Sequence, residues 1–173
     1  MIYYVSGGQR SGKSRYAQEL ALKLSDRPVY LATSRIWDDD HHARIERHKK
    51  DRGNDWDTIE EEKFISKHDL SGRVVVMDCV TLWLTNFFTD AEFDPEKALT
   101  EAKQEFDAFS RQNMTVIIIS NEIGMGVHAE SSTVRKFVDL QGWMNQYIAQ
   151  KADEAVFMVS GLPLKVKPNK YQE

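Results

Sequence analysis

Apolar residues occur along this chain in two textures: short unbroken runs bounded by glycine or polar residues, and longer stretches where they recur every three or four positions. The first texture predicts buried strands and the second predicts helices packed by one face. Residues 2–6 form a β-rich run that ends in glycines, so a strand there feeds a tight turn. From 13 to 24, Tyr16, Ala17, Leu20 and Leu24 fall at helical spacing before the breakers Asp26 and Pro28. Residues 29–33 predict a second buried strand. Residues 39–52 are polar, rich in His and Arg, and closed by Gly53 and Asn54, which predicts an exposed helix. A short edge strand is expected over 56–59, and a buried parallel strand over 73–78, closing on Asp78. A short helix follows at 81–88. Asp94, Pro95 and Glu96 supply a cap, a first-turn proline and an early acid for a helix reaching about Arg111. Residues 114–120 are the most apolar strand, and the loop 121–130 leads to a helix from about Ser132 carrying Val134, Phe137, Val138, Met144 and Ile148 on one stripe. A last core strand at 155–160 and an edge strand at 164–167 complete the order.

Strands alternating with helices at this spacing imply an α/β fold, a mostly parallel sheet with helices on both faces joined by right-handed crossovers. With 173 residues and no internal repeat or low-complexity linker, one domain over 1–173 is expected. A composition of 41% hydrophobic and 29% charged residues, without a bilayer-length apolar stretch, predicts a soluble chain with no membrane span. Only six residues precede Gly7, too few for an export signal. The lone cysteine, Cys79, is expected in the core, and the cytoplasm is the expected compartment. The net charge of -4 argues against coating a nucleic-acid backbone, so any anion must be held locally. Positive charge gathers over 44–52 and in the tail 165–170, the latter read first as a solvated terminus.

The chemistry starts at Gly7-Gly8-Gln9-Arg10-Ser11-Gly12-Lys13-Ser14, which fits G-x-x-x-x-G-K-[ST] without a mismatch between a predicted strand and a predicted helix. Glycines allow backbone N–H groups to curl towards phosphate oxygens, and the helix that follows adds the positive end of its dipole. Lys13 is the candidate for the β- and γ-phosphates, and Ser14 for Mg²⁺. Asp78, at a buried strand end, needs a partner. Mg²⁺ beside Ser14 would supply one, and capping of the next helix is the alternative. A switch GTPase is disfavoured. Asp139-Leu140-Gln141-Gly142 lies inside a predicted helix, and Asn169-Lys170-Tyr171-Gln172 lacks the final acid of N-K-x-D.

His41, Arg44, His48 and Arg52 step by three and four residues and so share a helix face. Either the face is simply solvated or it meets an anion, and a histidine between arginines is a candidate phosphorus nucleophile. Spacing alone does not choose among His41, His42 and His48.

Together these features resemble the bifunctional adenosylcobinamide kinase/adenosylcobinamide-phosphate guanylyltransferases of cobalamin biosynthesis. The likeness runs nearly end to end. It is carried by the glycine loop; Tyr30-Leu31-Ala32-Thr33; Arg44-Ile45-Glu46-Arg47-His48; Trp56-Asp57-Thr58-Ile59-Glu60; Asp78-Cys79-Val80-Thr81-Leu82-Trp83; Ser120-Asn121-Glu122-Ile123-Gly124-Met125-Gly126; and Asn145-Gln146 with Gly161-Leu162-Pro163-Leu164. The resemblance implies a P-loop, RecA-like sheet and a homotrimer. It also implies two reactions: phosphorylation of adenosylcobinamide from GTP or ATP, then transfer of GMP from GTP through a guanylylated histidine, matching His48, to adenosylcobinamide phosphate. Leu31, Ala32, Thr33, Lys49, Arg52, Glu60 and Asp78 match further nucleotide-binding positions. The chain departs from the family at Val127-His128-Ala129, where Ile-Val-Pro is usual, and at His41 and His42, where an acid and Met are usual. The competing readings are a single-activity P-loop kinase without a covalent intermediate, and a nucleotide-dependent regulator.

Overall fold

The computed structural model describes residues 1–35, 55–126 and 128–168. The basic stretch over 39–52, with His41, His42, Arg44, His48, Lys49 and Arg52, lies outside the described residues, as do Trp37, Val127 and the tail from 169.

In chain order the elements are β1 (Ile2–Gly7), α1 (Lys13–Leu24), β2 (Val29–Ala32), β3 (Asp57–Glu60), β4 (Val74–Asp78), α2 (Val80–Asp90), α3 (Pro95–Ser110), β5 (Thr115–Asn121), α4 (Ser132–Lys151), β6 (Glu154–Val159) and β7 (Leu162–Lys167). They form one seven-stranded sheet in the order β3-β2-β4-β5-β1-β6-β7. Every pairing is parallel except β6 with β7. The α/β class and the mostly parallel sheet agree with the hydrophobic pattern. The sheet also sets the strand ending in the glycine loop, β1, one strand away from the strand ending in Asp78, β4, with β5 between them.

Helices cover both faces, unevenly. Alternation along β5 sends Val116 and Ile118 into a core shared with α2, α3 and α4, and Ile117 and Ile119 into a smaller core under α1. That two-sided burial explains why the strand reads as a continuous apolar run. Trp83, Phe87, Phe106 and Phe109 fill the larger core, each contributing about 2–3 kcal/mol relative to exposure. Trp56 is also buried, whereas Trp143 is 42% exposed.

Two predicted stripes shift. Leu24 is exposed and Ala21 takes its place in the α1 contact, because the last turn of the helix runs past the sheet. Val134 is exposed too. The first turns of α4 project beyond the core, and the packed stripe is Leu140, Met144 and Ile148 with half-buried Phe137. The predicted cap of α3 forms as expected: the Asp94 side chain accepts from the backbone N–H of Glu96 at 2.9 Å and of Lys97 at 3.1 Å. No helix among the described residues is long and apolar enough to cross a membrane.

Candidate active site

The phosphate loop leaves β1 through backbone conformations that only glycine adopts without strain. Gly7 has φ +151°, and a Cβ there would stand 2.7 Å from the Met158 carbonyl oxygen of β6 and 2.7 Å from Ser11 Oγ. Gly12 has φ +97° and passes so near the β6–β7 turn that a Cβ would lie 3.2 Å from the Gly161 Cα. That turn braces the loop, because the Gly161 N–H donates to the Ser11 carbonyl at 2.9 Å. Gly8 has nothing within 4 Å of the corresponding position. Gly7→Ala should therefore lower the melting temperature by several degrees, since strain of this kind costs about 1–3 kcal/mol. Gly8→Ala should leave it within about 2 °C. Thermal melts of the two variants side by side check this, and equal losses would contradict it.

Arg10, Ser11, Gly12, Lys13, Ser14 and Arg15 line the depression above the loop. With no acidic residue in its first turn, α1 presents the positive end of its dipole there undiminished. The Lys13 ammonium is nearly enclosed and donates to the Gly8 carbonyl at 2.6 Å, arching across the loop. Burial pulls its pKa below the usual lysine range, while the neighbouring Cys79 and Asp78 act in the opposite direction. A cation held short of water in this way is one that phosphate oxygens stabilise strongly.

Asp78 ends β4 directly beside this depression. Its Oδ2 accepts from Ser14 Oγ at 3.3 Å and from the Tyr30 hydroxyl at 2.6 Å. The capping alternative does not hold: Cys79 is the cap residue of α2, with no side-chain cap bond, and Asp78 faces the loop instead. Burial pushes the Cys79 thiol up to about 12, so this cysteine packs in the core and is no nucleophile. The described residues contain no group of three or more His, Cys, Asp or Glu able to cage a metal. A hydroxyl and a carboxylate side by side at a phosphate loop are hard oxygen donors that fit Mg²⁺, a cation whose coordination shell is otherwise completed by phosphates and water.

Of the remaining predicted positions, Leu31 and Thr33 are completely enclosed. Thr33 ties the ends of β2 and β4 together, its N–H donating to the Asp78 carbonyl at 3.2 Å and its hydroxyl to the Cys79 carbonyl at 2.8 Å. Ala32 precedes it at the end of β2. Glu60 lies at the end of edge strand β3 and lines a separate depression with Arg35, Lys63 and Asp90. The structure thus brings residues 7–14 and Asp78 together, and its register places Glu60 beside Ala32, two strands from Asp78 at the same end of the sheet. His48, Lys49 and Arg52 lie outside the described residues.

Sequence reasoning missed three contributors. Tyr30 and Gly161 belong to quoted motifs but carried no predicted role, and their partners lie far away in sequence. The third is a buried polar cluster. Ser120 Oγ donates to Asn145 Oδ1 at 2.6 Å, Gln141 Nε2 donates to both, and Asn145 Nδ2 holds the Asn121 carbonyl at 3.2 Å. The next residue, Glu122, donates its N–H to the Gly7 carbonyl at 3.0 Å, so the cluster fixes the exit of β5 against the phosphate loop.

The sequence profile of the family described as cobinamide kinase / cobinamide phosphate guanyltransferase matches residues 3–166. The bifunctional adenosylcobalamin biosynthesis protein CobU of Escherichia coli is 36% identical, over 96% of this chain and 100% of that protein. CobP of Pseudomonas aeruginosa, named in the same way, is 34% identical over 94% of this chain and 95% of its own length. Among solved structures, the flagellar accessory protein FlaH from Methanocaldococcus jannaschii matches 90% of this chain and 70% of its own at 14% identity and a TM-score of 0.41. The fold assignment rests on the order of the strands themselves. With its phosphate loop, its acidic strand end and a family match over nearly all its length, the chain belongs to the cobinamide kinase / cobinamide phosphate guanyltransferase family.

Proposed function

We propose that the whole chain, 1–173, acts as one kinase/guanylyltransferase domain in which both reactions of its family use the phosphate loop of residues 7–14. In the first, the hydroxyl on the aminopropanol arm of adenosylcobinamide attacks the γ-phosphorus of GTP or ATP and the nucleoside diphosphate leaves. In the second, a His48 imidazole nitrogen attacks the α-phosphorus of GTP and pyrophosphate leaves. A phosphate oxygen of adenosylcobinamide phosphate then displaces the imidazole, giving adenosyl-GDP-cobinamide. The phosphoramidate preserves the transfer potential, so one difficult displacement becomes two easier ones. Leu31, Ala32, Thr33, Lys49, Arg52, Glu60 and Asp78 complete the nucleotide site. Leu31 and Thr33 are wholly enclosed, so their part is to hold the end of β2 against β4 beneath the site.

The observation that carries this reading is that Lys13 and Ser14 line one depression while Asp78, bonded to Ser14, stands beside it. Ser14 and Asp78 would hold Mg²⁺, which would neutralise charge on the phosphates. Lys13 offers its ammonium to the departing oxygens, and the α1 N-terminus offers backbone N–H groups. The test is incubation with GTP radiolabelled at the α-phosphate. Label should remain on the denatured protein, leave in acid and resist alkali. A single-activity kinase would take up none, and that result would end the guanylyl-transfer reading.

The family likeness also points to a homotrimer, and an exposed apolar edge supports self-association: Leu162, Leu164 and Val166 of β7 are 72%, 56% and 52% exposed. Patches of this kind mark interaction surfaces. Light scattering should give three times the 20.0 kDa chain mass, and Leu164→Glu should lower it. A monomeric wild type would dispose of the trimer. We place the protein in the cytoplasm, in keeping with its lone buried thiol. Recovery in a membrane pellet after cell fractionation would refute that.

A further inference from the structure

Tyr30 sits in the middle of β2 with 6% of its surface exposed, packed edge-on against Trp56 at 6.2 Å between ring centroids and 80° between planes. Two things make its hydroxyl unusual. It lies on the α1 face of the sheet, in an otherwise apolar cluster, and it donates a 2.6 Å bond to Asp78 Oδ2. A bond this short to an ionised acceptor belongs to the strong, charge-assisted class. Ser14 Oγ reaches the same oxygen at 3.3 Å. Asp78 Oδ1 accepts no hydrogen bond among the described residues, so the two bonds on Oδ2 orient the carboxylate with its other oxygen available.

We infer that Tyr30 is a positioning residue for the cation site: its hydroxyl, steadied by Trp56, fixes the Asp78 carboxylate in the orientation that binds the divalent ion. This rests on the proposal that Ser14 and Asp78 hold Mg²⁺. Carboxylates around a metal are commonly oriented by an outer hydrogen-bond donor, and losing that donor weakens the metal about 10–100-fold. Tyr30 and Asp78 lie on neighbouring strands, with Ala32 opposite Asp78 and Tyr30 opposite Val76. The aromatic side chain spans the two-residue offset that a shorter hydroxyl residue could not. Phenylalanine keeps the ring and its contact with Trp56 and removes the hydroxyl that Asp78 accepts from.

The experiment compares wild type, Tyr30→Phe and Asp78→Asn, using Mn²⁺ binding followed by electron paramagnetic resonance with a non-hydrolysable GTP analogue present. The Mg²⁺ concentration for half-maximal kinase rate, the melting temperature and analogue affinity in EDTA are measured alongside. Tyr30→Phe should weaken Mn²⁺ binding and raise the Mg²⁺ requirement by roughly tenfold. Analogue affinity in EDTA should stay within about twofold, because the donor acts only through the carboxylate. Asp78→Asn should weaken Mn²⁺ more. If Tyr30→Phe binds Mn²⁺ like wild type while Asp78→Asn does not, the inference is overturned and the Mg²⁺ proposal stands. A drop in the melting temperature of Tyr30→Phe with unchanged Mn²⁺ affinity would make Tyr30 purely structural and would overturn the inference equally. If Asp78→Asn itself binds Mn²⁺ normally, the metal site is wrong and the role of Tyr30 falls with it.

Discussion

Lys13→Ala should depress both activities together, by about 10²–10³-fold in kcat/KM, the loss typical when a preorganised donor to developing charge is removed from an enclosed site. The expectation follows from the position of the ammonium. It is nearly buried, it arches over the loop to the Gly8 carbonyl, and it stands beside Asp78, the proposed cation ligand. In the proposed scheme both steps build negative charge on phosphate oxygens leaving towards the same loop, on a nucleoside diphosphate in one case and on pyrophosphate in the other. The free protein should not suffer comparably. Burial already disfavours the charged lysine, so deleting it relieves a desolvation cost and should change stability by no more than about 1 kcal/mol. Steady-state rates for each half-reaction, with a thermal melt, check all three points. If only one activity fell, the two reactions would not share a loop.

The parts of this molecule legible in the sequence are those determined by neighbours along the chain. The glycine loop was readable because Gly7 and Gly12 need positive φ at fixed offsets from Lys13 and Ser14, and the α3 cap because Asp94 reaches only two and three residues ahead. Strand β5 was readable because burial on both faces leaves Val116, Ile117, Ile118 and Ile119 as an unbroken apolar run. What the sequence concealed is set by elements that meet only after folding. Tyr30 reaches Asp78 across 48 positions, and Gly161 closes on Ser11 from the turn after the neighbouring strand β6. Leu24 and Val134 have the right helical spacing but sit in end stretches of their helices that are exposed throughout, which periodicity does not reveal. The buried Ser120–Gln141–Asn145 cluster interrupts an apolar stripe with amides that look like solvent-facing positions until their partners are known.

His48→Ala should separate the two activities that Lys13→Ala lowers together. Without an imidazole there is no phosphoramidate. Label from α-labelled GTP should fall to background, and guanylyl transfer should drop by at least about 10³-fold, the scale on which removing a covalent nucleophile acts. Kinase activity should stay within about twofold, because in the proposed scheme γ-transfer draws on residues 7–14 and Asp78 and forms no covalent intermediate on the protein. His41→Ala and His42→Ala are the necessary companions: both lie on the same basic stretch, and helical spacing alone treats His41 and His48 alike. Only the family likeness singles out His48, so retention of label by His48→Ala with loss by His41→Ala would move the nucleophile without disturbing the reaction. Loss of kinase activity in parallel with transfer would be a deeper contradiction. It would mean that His48 itself helps bind the triphosphate for both steps, and that the split between a shared phosphate loop and a dedicated histidine does not describe this enzyme.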